Sequence, residues 1–288
     1  MRPNHAAPAT VEDAVRLLIG DSNGVIIAGG TDLIPEIRAG RRSPSQVVDL
    51  RLLPLTDIVV EADRIRVGAR VTFADILTSD AIEAEFPALV EAAAQLGGPP
   101  IRNRATLGGN LVNASPAADG APPLLAYDAS VAIVGLGGER EVPLPEFFHR
   151  PGQTVLIPGE ILTEIRMPRP EGHTTSSFMK YGPRNAMAIS VVSVAVRVTG
   201  DGLGGVDDTR IALGAVAPTP IRAEGAERIV TAEGLGTDAV ASASAAAAEA
   251  CSPIGDIRST AEYRRHLVEV LVRRLLTGAA LALEGSNA

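Results

Sequence analysis

The 288-residue chain has one cysteine, Cys251, no tryptophan, and one lysine, Lys180, among 26 basic residues. Each scarcity excludes a chemistry. A protein-bound iron–sulfur cluster takes about four thiolates, and a structural zinc site takes a tight Cys/His set. The four histidines, His5, His149, His173 and His266, stand far apart without ligand spacing. One thiol builds no disulfide framework, which suits a reducing compartment. Aromatic residues make up 3% of the chain and the formal charge is −8. Neither stacking platforms nor a general positive field is therefore on offer to nucleic acid. Long apolar runs are missing too. The stretch 191–198 is broken by Ser193 and Arg197 and falls far short of the ~18–20 residues that span a bilayer. The segment 1–11 has no apolar core of signal-peptide length, so the expectation is a cytoplasmic protein without a transmembrane segment.

What is present divides into two units. The first reads as β/α. Apolar spacing predicts a helix over 11–19, a short strand over 25–28 ending in Gly29–Gly30, a helix from Leu33 to Ala39 and a strand over 46–50. Strands over 58–61 and 65–68 and helices over 73–77 and 88–96 follow. From 97 to 123 no period is usable: five glycines and five prolines enclose polar residues, as in an ordered binding loop. A helix over 124–127, a strand over 130–135, a helical turn over 143–148 and a strand over 161–167 complete the unit. Prolines 158, 168 and 170 mark a boundary, with a linker over 171–175. Beyond it, strands over 176–181, 189–199 and 209–217 predict a three-stranded antiparallel sheet, followed by helices over 238–251 and 261–283. The fold class is therefore α+β, with domains over 1–173 and 176–288.

Two glycine pairs are candidates for chemistry: Ala28-Gly29-Gly30-Thr31-Asp32-Leu33, between a strand and a helix, and Thr106-Leu107-Gly108-Gly109-Asn110, inside the long loop. Paired glycines let backbone approach a ligand and aim successive N–H groups at phosphate oxygens. The first pair also precedes a helix N-terminus. Alone, each pair is as well explained as a turn. Neither is the GxGxxG dinucleotide fingerprint, and neither has the lysine of a P-loop. Together, with Asn113-Ala114-Ser115-Pro116-Ala117-Ala118-Asp119 following the second, they suggest a pyrophosphate gripped from two sides.

These motifs carry a resemblance. Ala-Gly-Gly-Thr-Asp-Leu at 28–33, Arg-Asn-Arg-Ala-Thr-Leu-Gly-Gly-Asn at 102–110, Ser-Pro-Ala-Ala-Asp at 115–119, Phe-Met-Lys-Tyr at 178–181 and Ser-Pro-Ile-Gly-Asp-Ile-Arg-Ser-Thr-Ala-Glu-Tyr-Arg-Arg at 252–265 occur in this order. The chain resembles the FAD-binding medium subunits of the xanthine dehydrogenase and carbon monoxide dehydrogenase family of molybdenum hydroxylases. The resemblance implies a two-part FAD-binding domain of the PCMH type and a C-terminal domain of the carbon monoxide dehydrogenase flavoprotein type. It implies that Ala28, Gly29, Gly30, Thr31, Asp32 and Leu33 wrap the FAD pyrophosphate and that Thr106, Gly108, Gly109 and Asn110 form an opposing cradle. Ser115 and Asp119 would bond the ribityl or pyrophosphate part or hold the loop, and Ile189 would lie near the isoalloxazine ring with Lys180 on the adjoining strand. It implies partners: a large subunit with the molybdenum cofactor and a small one with two-iron two-sulfur clusters, in a dimer of heterotrimers. Electrons would leave through FAD to NAD or another acceptor, with purines as the first-choice substrate class. A self-contained flavin oxidoreductase of the same fold is the alternative.

Other residues take plainer expectations. Cys251 is a small buried hydrophobe, and Phe147–Phe148 is core packing. Arg102 and Arg104 either reach phosphate or pair with loop carboxylates. Arg264, Arg265, Arg273 and Arg274 form a solvated basic helix face, and Lys180 modulates the flavin.

Overall fold

A computed structural model describes residues 3–285. The chain opens with a small parallel sheet in the order β1-β3-β2, made of β1 (Asn4–Ala6), β2 (Gly24–Ile27) and β3 (Gln46–Asp49). Parallel neighbours need a crossover, and the helices Val11–Gly20 and Leu33–Arg38 supply both. The first is capped by Thr10, whose side chain accepts from the Asp13 N–H, and it buries Ala14, Val15 and Leu18. That stripe packs with Val48, Leu50 and Ile161 in a core of its own.

A second sheet is antiparallel throughout, in the order β4-β5-β10-β6-β7. Its strands are β4 (Ile58–Val60), β5 (Arg64–Gly68), β6 (Ser130–Gly135), β7 (Gly138–Pro143) and β10 (Ile161–Pro168). A small hairpin of β8 (Phe148–Arg150) and β9 (Gln153–Thr154) precedes β10. Six short helices between β5 and β6 cover this sheet, and their apolar faces make the largest core, including Phe73, Phe86, Leu89, Leu107, Leu111 and Tyr127. Phe147 and Phe148 join it and meet edge to face, as expected.

The third sheet runs consecutively, β11 (His173–Tyr181), β12 (Val192–Gly200), β13 (Val206–Gly214) and the two-residue β14 (Ile221–Arg222), all antiparallel. The expected three strands are present, and β14 extends them by one. Helices Glu224–Glu233 and Ala261–Gly285 pack on this sheet, Thr237–Glu249 packs against those two helices, and Cys251 is buried in the same core. Burial pushes the Cys251 thiol up to about 12, which keeps it protonated and unreactive.

Several elements differ from expectation. The stretch 97–123 contains helices Pro99–Arg102, Leu107–Val112 and the start of Ala121–Ala126. Four of its five prolines, Pro99, Pro100, Pro122 and Pro123, sit in the first turn of a helix, where no N–H is needed. The helices Asp80–Glu85 and Glu224–Glu233 and the strand β7 were not anticipated. β11 begins at His173, inside the segment expected to be linker. Arg264 is 2% exposed rather than on a solvated face.

The two parts are joined by buried and half-buried polar contacts. The Tyr127 hydroxyl lies 2.6 Å from Ser176 Oγ in β11 and accepts from the Ala88 N–H at 3.1 Å. Glu91 accepts from the Phe178 N–H at 2.5 Å. Asp128, in the left-handed region at φ 52°, accepts from Arg197, Arg210 and Arg222 of the C-terminal sheet at 3.1, 3.0 and 2.7 Å. Tyr127→Phe keeps the ring and its edge-to-face contact with Phe86 but strands the Ala88 donor and the Ser176 hydroxyl. We expect a loss of about 1–3 kcal/mol, measured as a lower urea midpoint at unchanged slope.

Candidate functional site

The strand β2 ends at Ile27, and the chain turns through Ala28–Asp32 into the helix Leu33–Arg38. Gly30 makes that turn at φ 73°, a conformation open to glycine at little cost. Gly29 permits a close approach: a β-carbon there would lie 1.9 Å from the Arg104 carbonyl oxygen. The first glycine pair and the second motif are therefore in direct contact. Among the described residues, none accepts a hydrogen bond from the backbone N–H of Gly29, Gly30, Thr31 or Asp32. Unpaired backbone donors at a helix start form an anion site.

The second pair behaves differently. Thr106 caps the helix Leu107–Val112, its side chain accepting from the Gly109 N–H at 3.1 Å. The Gly108 N–H donates to the Ala69 carbonyl at 3.1 Å and the Asn110 N–H to the Thr106 carbonyl at 2.9 Å. The N–H groups of Gly108, Gly109 and Asn110 are thus paired within the chain, and these residues do not offer a row of free backbone donors like that of Gly29–Asp32. Gly108 serves close packing instead, since a β-carbon there would come within 2.7 Å of Ala69. The Asn110 side-chain oxygen accepts from the Gly120 N–H at 3.2 Å, which leaves its amide nitrogen as the available donor.

Between these segments lies a cavity of about 720 Å³, within the range of cofactor sites. Ala28, Gly29, Gly30, Thr31, Asp32 and Leu33 line one part, and Thr106, Gly108, Gly109, Asn110, Ser115 and Asp119 another. Ile189 lines it as well, from the C-terminal domain. Lys180 does not. Its ammonium donates to Asp119 Oδ2 at 2.6 Å and to the Ala188 carbonyl at 3.2 Å, and its side chain is 8% exposed. It stands behind the cavity wall and holds Asp119, whose other oxygen accepts from Ser190 at 2.5 Å. Burial pushes the Asp119 carboxyl up, while Lys180 and Ser190 pull against it.

Asp32 is raised as well, first by burial and then by repulsion from Glu36. Glu36 itself pairs with Arg42 at 3.2 Å. Both line the cavity and escaped the sequence reading: with arginine at nearly every basic position, Arg42 had no distinguishing signal. The apolar wall of Leu96, Ile101, Leu156, Leu162 and Met187 also had none. Arg102 donates to the Ala94 and Leu96 carbonyls at 3.2 and 3.1 Å and closes the end of the helix Pro87–Gln95 rather than pairing with a loop carboxylate. Arg104 contributes its backbone carbonyl, which rests on Gly29.

The cavity thus combines a segment of free N–H groups with a broad apolar lining, which fits a molecule carrying both a phosphate and a large flat ring. Comparison with known proteins agrees. Residues 3–170 match the family described as the FAD binding domain in molybdopterin dehydrogenase, and residues 177–279 match the CO dehydrogenase flavoprotein C-terminal domain. The chain is 33% identical over 280 residues to the xanthine dehydrogenase FAD-binding subunit of Escherichia coli O157:H7, covering 96% of each. It is 35% identical over 281 residues to the nicotine 6-hydroxylase medium subunit of Paenarthrobacter nicotinovorans, again covering 96% of each. A chain of the reconstituted CO dehydrogenase from Oligotropha carboxidovorans superposes with a TM-score of 0.94 at 30% identity, covering 98% of this chain and 100% of that one. With both domains and the cradle accounted for, the chain belongs to the FAD-binding medium-subunit family of the molybdenum hydroxylases, the group that includes xanthine and CO dehydrogenases.

Proposed function

We propose that this chain is the electron-exit subunit of a cytoplasmic molybdenum hydroxylase acting on purines. In this reading it takes electrons from two-iron two-sulfur clusters on a small partner, which is fed by a molybdenum cofactor on a large partner. It delivers them to NAD or another acceptor, in a dimer of heterotrimers. The observation that carries the reading is the row of four free N–H donors, Gly29 to Asp32, on residues that line a cavity with a large apolar share of its wall. The chemistry FAD supplies when bound is the exchange of one or two electrons. The chain's own groups bind and orient. The Gly29–Asp32 donors would take the pyrophosphate, and Asn110 and Ser115 would hydrogen-bond the polar middle. Ile189, Met187 and Ile101 would exclude water from the ring.

The cavity's ionisable groups support a holding role. Glu36 is committed to Arg42, and Asp119 to Lys180 and Ser190. Asp32 sits beside the free N–H donors, and burial together with the neighbouring Glu36 pushes its carboxyl up. Names of relatives support the substrate class, since xanthine is the substrate named for the Escherichia coli subunit.

Two outcomes test this reading. The complex purified with its large and small partners should show oxidised-flavin absorbance that bleaches on adding xanthine or hypoxanthine and returns on adding NAD. A complete complex lacking FAD would sink the proposal, and bleaching by a different heterocycle alone would replace the purine assignment. Gly29→Ala should push the 28–32 turn off Arg104 and weaken FAD binding by at least about tenfold. Gly20→Ala, which meets open space, should leave affinity unchanged, both being read by fluorescence quenching.

A further inference from the structure

Arg264 lies in the first turn of the helix Ala261–Gly285 and is almost fully buried. One guanidinium nitrogen donates to the carbonyls of Val191 and Ala215 at 2.7 and 2.9 Å, and the other terminal nitrogen donates to Asp256 Oδ1 at 2.9 Å. Both carbonyls belong to segments that support the cavity wall. Val191 follows Ile189, which lines the cavity, and Ser190, whose hydroxyl holds Asp119. Ala215 stands in the left-handed region at φ 64°, and its N–H donates to the Pro116 carbonyl at 2.7 Å. Pro116 belongs to the loop whose Ser115, Ala117, Ala118 and Asp119 line the same cavity.

The other end of the contact is rigid too. Asp256 and Ser259 exchange backbone hydrogen bonds at 3.0 and 3.2 Å, closing a tight turn. The Asp256 carboxylate also accepts from the Arg258 and Ser259 N–H groups. A planar guanidinium is suited to this array because its donors diverge in fixed directions, which a lysine ammonium on a shorter reach does not reproduce.

We propose that Arg264 is a positioning residue for the FAD site. It fixes from the C-terminal domain the two strand ends on which Ile189 and the 115–119 wall rest. It thereby sets flavin affinity and the asymmetry of the flavin's surroundings without touching the cofactor. The proposal rests on the FAD-binding reading above. It is tested with the full chain titrated with FAD, following fluorescence quenching, the visible circular dichroism of the bound flavin and the melting temperature of the FAD-free chain. Arg264→Lys should weaken FAD binding about tenfold and change the visible dichroism, and Asp256→Asn should shift both in the same direction by less. Leu267→Ala, a buried deletion on the same helix, should lower the melting temperature while keeping wild-type affinity and dichroism. Wild-type FAD binding and dichroism in Asp256→Asn and in any Arg264→Lys that folds would overturn the proposal. So would a loss of FAD in Leu267→Ala equal to that of the Arg264 and Asp256 variants. A wild-type chain that takes up no FAD would instead overturn the cofactor reading on which the proposal stands.

Discussion

The cavity exists because backbone touches backbone at Gly29. The turn after β2 leaves the small parallel sheet, Arg104 lies between two of the helices that cover the antiparallel sheet, and no side chain separates them. This contact brings the 28–32 turn directly onto the backbone that leads into the helix Leu107–Val112, so the two segments that line the cavity meet there. The four N–H groups of Gly29–Asp32, on residues that line the cavity, pair with no neighbouring strand. Any residue with a β-carbon at this position requires the turn or the 104–105 backbone to shift, so the constraint is geometric before it is chemical.

A second constraint closes the cavity from the other side. Asp119 belongs to the first domain, yet both its oxygens are taken by Lys180 and Ser190 of the second. Tyr127 and Asp128, at the end of the helix Ala121–Ala126, make the same crossing through Ser176 and three arginines. The C-terminal domain is therefore a wall of the site as much as a separate unit. The parallel sheet, the antiparallel sheet and the C-terminal domain each contribute one side, and buried hydrogen bonds hold the sides at fixed spacing.

Much of this was legible in the sequence where local physics decides. A strand, two glycines and a capping residue before an apolar helix can be read directly, and Gly29–Gly30 follow that order. The alternation and turn spacing of β11 to β13 were equally plain. What was hidden depends on partners distant in sequence. Gly29 and Gly108 look alike in one dimension. One leaves its neighbours' donors free, while the other sits in a helix whose first N–H groups are taken by Ala69 and Thr106. Thr106 three residues before Gly109 is a capping signal, outweighed by the glycines and prolines around it. β7 carries Glu139, Arg140 and Glu141 on an exposed sheet edge, so it lacks the apolar alternation that identifies a strand. Arg264 precedes Leu267, Val268 and Leu271 at helical spacing, which puts it on the buried stripe despite its charge. Its side chain belongs there because two carbonyls and a carboxylate receive it, and nothing local in the sequence announces them.

The burial of Lys180 has a practical consequence. Its amine is the only one on any side chain of the protein, and it is enclosed against Asp119 with 8% of the side chain exposed. Amine-directed reagents, including the usual cross-linkers and surface-coupling esters, therefore find no reactive side chain on the folded subunit. Neighbouring subunits must be mapped through its carboxylates and guanidinium groups. Any labelling of Lys180 that does occur reports the opening of the cavity wall.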